Sequence, residues 1–164
     1  MRLRSSRIQS VVTAAGVVAA LLLLVPAAVA LAAGATTITV HERGTDVNPG
    51  DQNPCSGATG TVIDVNDIHF HITTLPDGTI NETGHDTASV TFTPDDPTQP
   101  AYEGQETYAF SQNTTNQRLV TTMTFHLRMK GTDGSFLTIR EVAHTTINQT
   151  GATTIFDKPI LICS

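Results

Sequence analysis

The stretch LVTTMTFHLRMKGTDGSFLTIREVAHTTI, residues 119–147, decides the fold. In its first half Leu119, Met123, Phe125, Leu127 and Met129 all fall on odd positions, with threonine or charge at most places between them. Alternation with period two is the pattern of a strand that buries one face. Gly131-Thr132-Asp133-Gly134-Ser135 interrupts it, and the apolar residues beyond, Leu137, Ile139, Ala143 and Ile147, are odd again. Two paired strands keep one parity only when an odd number of residues joins them. A loop of Thr132, Asp133 and Gly134, with Gly134 in the left-handed conformation, supplies that number. The expectation is an antiparallel hairpin of Leu119–Lys130 and Ser135–Ile147.

The same test works one hairpin upstream. Ile68, Phe70, Ile72, Ala88, Val90 and Phe92 are all even and flank Leu75-Pro76-Asp77-Gly78-Thr79. Proline pre-sets the first turn position and Gly78 tolerates positive φ, so Ile72 should pair with Glu82 and Phe70 with Gly84. Working outward, shorter alternating runs at Thr36–Glu42, Gly60–Val65, Tyr102–Ser111 and Thr153–Ile162 complete about eight strands. Gly44–Gly57, Pro94–Pro100 and Gln112–Gln117 read as breaker-rich loops. Threonine, about one residue in six, suits pleated half-buried strands. The fold class expected is all-β, an antiparallel meander closed into a barrel, with a β-sandwich as the alternative. A barrel of that size is filled by side chains or admits one small ligand.

The first 32 residues read differently. Arg2, Arg4 and Arg7 precede an apolar stretch, Val11–Val25, with Leu21 to Leu24 at its centre, then Pro26 and the small residues Ala28, Ala30 and Ala32. A basic start, an apolar middle and small residues for a peptidase make a secretory signal. The expected organisation is a signal peptide at 1–32 and an extracytoplasmic domain at 33–164. An uncleaved anchor is the alternative, since apolar character runs on to Ala35. The two cysteines, Cys55 and Cys163, should pair in an oxidising compartment. The net charge is −6, and removing the three arginines makes the remainder more acidic still. That balance argues against nucleic acid and anionic lipid as partners, and stable membrane association is expected only if the signal stays uncleaved.

Asn66-Asp67-Ile68-His69-Phe70-His71-Ile72-Thr73, the Asp77-Gly78 turn, and Gly131 to Gly134 followed by Arg140-Glu141-Val142-Ala143-His144 carry a resemblance. They look like secreted, single-domain, β-rich proteins of high-GC Gram-positive bacteria. In architecture the chain is similar to lipocalin-like and allene-oxide-cyclase-like barrels. The resemblance implies a fold and brings no activity with it.

Two sets of residues carry chemistry. Glu141 falls on the apolar face with Leu137, Ile139 and Ala143, opposite Phe125, and Glu106 shares its face with Tyr102, Tyr108 and Phe110. A carboxylate on an apolar face is costly unless it is paired, protonated or serving a site. Glu106, Glu141, Tyr102, Tyr108 and Phe125 are therefore the candidate ligand-binding residues. The plainer alternative is a carboxylate bonded to a hydroxyl or a backbone N–H. His69 and His71 form an H-x-H pair, which places both imidazoles on one side of a strand. It resembles the first half of a cupin metal motif, but Leu75 and Pro76 occupy the places where that motif needs Glu. Two solvent-facing histidines is the plainer reading. A metal would need a third ligand from His85, His126 or His144. No nucleophile elbow, phosphate loop or dinucleotide fingerprint occurs, and no cofactor is implied. The leading functional expectation is an exported barrel binding a small, mostly apolar ligand. The alternatives are a structural or surface-interaction protein with a solid core, and a cyclase- or isomerase-like enzyme using a buried carboxylate.

Overall fold

A computed structural model describes residues 34–151 and 153–164. The signal segment expected at 1–32 lies outside the described residues. The rest is one sheet of seven antiparallel strands in sequence order. They are β1 (Thr36–Gln52), β2 (Thr59–Thr74), β3 (Ile80–Pro94), β4 (Tyr102–Thr114), β5 (Arg118–Gly131), β6 (Phe136–Asn148) and β7 (Thr153–Cys163).

Both hairpins have the expected register. Ile72 faces Glu82 and Phe70 faces Gly84, while Phe125 faces Glu141 and Met129 faces Leu137. Gly78 and Gly134 have φ of 82° and 87°, the left-handed region in which a Cβ would strain the turn. Asp77 and Asp133 complete these turns by accepting the N–H of Thr79 and Ser135 at 2.9 and 3.0 Å.

Seven strands form where eight were expected, because Gly60–Val65 and Ile68–Leu75 are a single strand. Asn66 and Asp67 stay inside the ladder, paired to Gly44 and Arg43 on one side and to Ala88 and Thr87 on the other. The expected Gly44–Gly57 loop is mostly strand for a related reason. β1 continues to Gln52 because β2 offers it partners throughout, and Pro49 and Gly50 are absorbed by a bulge between Pro49 and Asp51. Proline is tolerated there because β1 is an edge strand. The true loop is only Asn53–Ala58, held by the Asn53 side chain, which accepts the N–H groups of Cys55 and Ser56.

The seven strands form one continuous sheet whose edges do not close on each other by hydrogen bonds, since β1 pairs only with β2 and β7 only with β6. They are drawn together covalently instead. In a flat sheet β2 and β7 would stand about 24 Å apart, five spacings of about 4.8 Å. The Cys55–Cys163 disulfide brings the β1–β2 loop and the end of β7 to a Cα separation of 5.7 Å, so the sheet must curl. Such a bond fits an oxidising compartment.

Direct partners across a ladder share a face, so the register sorts every strand residue onto a core face or an outer face. All the buried apolar residues (Val62, Ile72, Ala88, Val90, Phe92, Tyr102, Leu127, Met129 and Leu137) are on the core face. All but Ile72 form one cluster, with Cys55 and Ala58 packed against it. The core is therefore solid at the disulfide end. Further along, Phe70, Tyr108, Phe110, Met123 and Phe125 are only half-buried, and β7 is exposed along its whole length.

Candidate functional site

The core face of this sheet carries acids and no bases. Glu42 and Asp46 (β1), Asp64 (β2), Glu82 and Asp86 (β3), Glu106 (β4), Glu141 (β6) and Asp157 (β7) all have the core-face parity. Every Lys, Arg and His among the described residues has the opposite parity, from His41 and Arg43 on β1 to Lys158 on β7. A random distribution of charge over a sheet does not give this separation, and an unpaired carboxylate beside apolar side chains costs free energy.

Three of these acids, Glu42, Asp86 and Glu141, share one transverse row with Tyr108 and Phe125. Following the register from strand to strand gives Glu42, Ile68, Asp86, Tyr108, Phe125, Glu141 and Pro159. The adjacent row runs Phe70, Gly84, Phe110, Met123, Ala143 and Asp157. Gly84 is needed there, since a Cβ would lie 2.6 Å from the Phe70 Cβ and 2.7 Å from the Phe110 ring. Tyr108 and Phe110 stack with centroids 5.8 Å apart. On its other side the acid row is bordered by Ala88, Glu106 and Leu127.

Burial pushes several of these groups toward their neutral forms. The Glu141 carboxyl is raised by burial and then by the nearby Asp157 charge. Asp86 is raised by burial and by the charges of Asp64 and Asp46, against backbone hydrogen bonds that pull it down. Glu82 is raised by burial alone, although the Gln112 amide donates to it at 3.1 Å. The Tyr108 hydroxyl is raised by burial and by Glu141, and it donates to the Met123 sulfur at 3.9 Å. Glu141 Oε1 and Asp86 Oδ1 are buried atoms with no hydrogen-bond partner. Asp46 is better served, accepting from the Asn66 amide at 2.7 Å.

The candidate ligand residues thus divide. Glu141, Tyr108 and Phe125 stand side by side in one row, and Glu106 lies in the next. Tyr102 belongs to the solid core: it is 7% exposed and its hydroxyl bonds Ser135 at 2.8 Å. Two open depressions indent the surface, of about 540 and 350 Å³. Tyr102 lines the larger, whereas Glu106, Tyr108, Phe125 and Glu141 line neither. Asp86 and Glu82 were not singled out in the sequence, although their even parity already put them on the apolar face of the hairpin with Ile72 and Ala88.

On the outer face, His69 and His71 diverge. His71 is taken by Thr39, its Nδ1 lying 2.9 Å from the hydroxyl. His69 joins His41 and Asp67: both imidazole Nε2 atoms contact the same Asp67 oxygen, at 2.7 and 2.9 Å. The two rings stack 3.9 Å apart, and His85 continues the stack at 5.2 Å from His69. Arg43 holds the other Asp67 oxygen at 2.8 Å. Hydrogen bonding from His41, with help from Arg43, keeps the Asp67 carboxyl below its usual range despite some desolvation. His126 and His144, the other suggested third ligands, are on β5 and β6, and His144 bonds Thr122 at 2.9 Å. His41 lay inside the expected strand Thr36–Glu42, but nothing in the sequence set a register between that strand and the one carrying His69, so their pairing was not legible.

No protein family, curated protein or solved structure matches the chain.

Proposed function

We propose that this is an exported binding protein whose curled sheet receives a small, apolar, positively charged molecule on its core face. The observation that carries the reading is the separation of charge: most strand acids and aromatic rings lie on the core face, while the other face holds Asp67, Glu103 and every cationic side chain of the described residues. An organic ammonium or guanidinium group would find there what a buried carboxylate lacks, a counter-charge and a hydrogen-bond donor. The rings of Tyr108, Phe110 and Phe125 offer their faces to the same cation and apolar surface to the rest of the molecule. The half-buried middle of the sheet is the place for it, beyond the solid disulfide end. In this reading the sheet acts as a barrel-like cup, the disulfide standing in for a β1–β7 ladder, and the apolar ligand of the sequence reading acquires a charge.

A second reading, an isomerase-like enzyme, draws on one observation. Glu141 is biased toward its protonated form and stands one residue across the sheet from Phe125 and two from Tyr108, a setting suited to proton transfer.

Native mass spectrometry on protein isolated from its own culture medium tests the binding reading. The expected result is an added mass that disappears on reduction and unfolding and is recovered as a small organic base. A bare mass that stays bare after incubation with the basic fraction of cell metabolites would overturn it.

A further inference from the structure

The outer face holds a second constellation, independent of the core face. We propose that His41, Asp67 and His69 form a site for one first-row divalent cation of the zinc, nickel or copper class. The register makes it: His41 on β1 lies directly opposite His69 on β2, and Asp67 is two residues from His69 on the same side of the strand. Ligand atoms of the three residues all lie within 4.8 Å of one another. The Asp67 oxygen is already 2.7 Å from one Nε2 and 2.9 Å from the other. With metal–ligand bonds of about 2.0–2.2 Å, neighbouring ligand atoms in a tetrahedral site stand roughly 3.3 Å apart. The carboxylate therefore has to move only a few tenths of an ångström from each ring nitrogen, and the rings have to turn deprotonated Nε2 atoms from Asp67 toward the shared ion.

The supporting contacts are those of a metal site. Arg43 fixes the far oxygen of Asp67 at 2.8 and 3.0 Å, which leaves the near oxygen aimed at both rings. A ligating carboxylate held by its own hydrogen bonds is the usual outer arrangement. Stacking of His85 on His69 restrains that ring from the other side. Two imidazoles and one carboxylate suit zinc, nickel and copper and are a poor set for calcium or magnesium, which prefer all-oxygen shells. The residues are 31 to 45% exposed at their side chains, so the remaining coordination positions open to solvent.

The test uses the full chain with its disulfide intact, titrated with zinc by calorimetry and with copper by electron paramagnetic resonance. The expected result is one equivalent bound per chain, with a copper spectrum showing two imidazole nitrogens. His41→Gln and His69→Gln should each weaken binding by at least about tenfold. His71→Gln and His144→Gln should leave it unchanged, and circular dichroism should show all four variants folded. Absence of stoichiometric binding would overturn the proposal. So would binding that survives both His41→Gln and His69→Gln, or that falls equally with His71→Gln.

Discussion

Glu141 stands directly across the β5–β6 ladder from Phe125, and one of its carboxyl oxygens is buried without a hydrogen-bond partner. A carboxylate against an aromatic ring, with Tyr108 the next residue along the row, is poorly placed for stability. The nearby charge that acts on it is another acid, Asp157. Such a position makes sense where a bound cation completes it, and it has direct consequences for the protein alone.

Replacing Glu141 with Gln keeps the shape and removes the charge. Because burial and Asp157 both disfavour the ionised form, the variant should be more stable than the parent at neutral pH. The gain is limited by solvent screening of a partly exposed group. A rise in Tm of a few degrees, followed by circular dichroism at pH 7, is the expected outcome, with little difference at pH 4.

The pH dependence should have a maximum. Glu82, Asp86 and Glu141 have folded-state pKa values above their ordinary ones. They favour the folded state fully below the ordinary carboxylate range, and that contribution is lost as the pH rises through the raised values. Asp77, Asp96 and Asp133 are lowered by hydrogen bonds to Thr79, Thr98 and Ser135. Their contribution is present above the ordinary range and is lost as the pH falls through the lowered values. Thermal unfolding across pH 2 to 8 should therefore peak in mildly acidic solution. Asp86→Asn combined with Glu141→Gln should flatten the neutral side and leave the acid side alone.

Truncations should separate the two ends of the sheet. Leu127 is 2% exposed in the core cluster, and Leu127→Ala should cost about 2–5 kcal/mol in denaturant unfolding. Ile155 on β7 is 68% exposed, so Ile155→Ala should change stability by less than about 0.5 kcal/mol.

The disulfide spans 108 residues, and closing a loop of that order is worth about 4.7 kcal/mol in the chain-entropy model. Beyond β7's ladder to β6 it is the covalent tie on an otherwise exposed strand. Reduction, or Cys55→Ser with Cys163→Ser, should release β7 first. Hydrogen exchange should rise over residues 153–163 while Val62, Val90 and Leu127 stay protected.

Strand patterning was legible wherever one face was buried. The two hairpins, their odd loops and the shared face of Glu106, Tyr102 and Tyr108 follow from parity alone. Legibility failed where burial was weak. β1 is exposed along most of its length, so its sequence carries no alternation past Glu42, and Pro49 and Gly50 look like a loop although β2 pairs across them. Asn66 and Asp67 look like a break for the same local reason, yet the ladders on both sides hold them in one strand. The histidine cluster was illegible because Asp67 lay in that apparent break and because His41, although in an expected strand, acquires its partner only through the register of β1 with β2. Closure was likewise illegible: the cysteines point to a covalent tie but not to whether β1 and β7 also pair.

The most direct test of the core-face account compares two probes with one skeleton and opposite charge, 4-phenylbutylamine and 4-phenylbutyrate. Each is titrated into isotope-labelled protein at neutral pH, with amide and methyl shifts followed by NMR. The account predicts saturable binding of the amine, with shifts centred on Phe110, Met123, Phe125 and Glu141. That binding should be weakened in the Asp86→Asn, Glu141→Gln double variant, and the carboxylate should bind far more weakly. Equal binding of both probes, tighter binding of the carboxylate, or shifts confined to the outer face would contradict it.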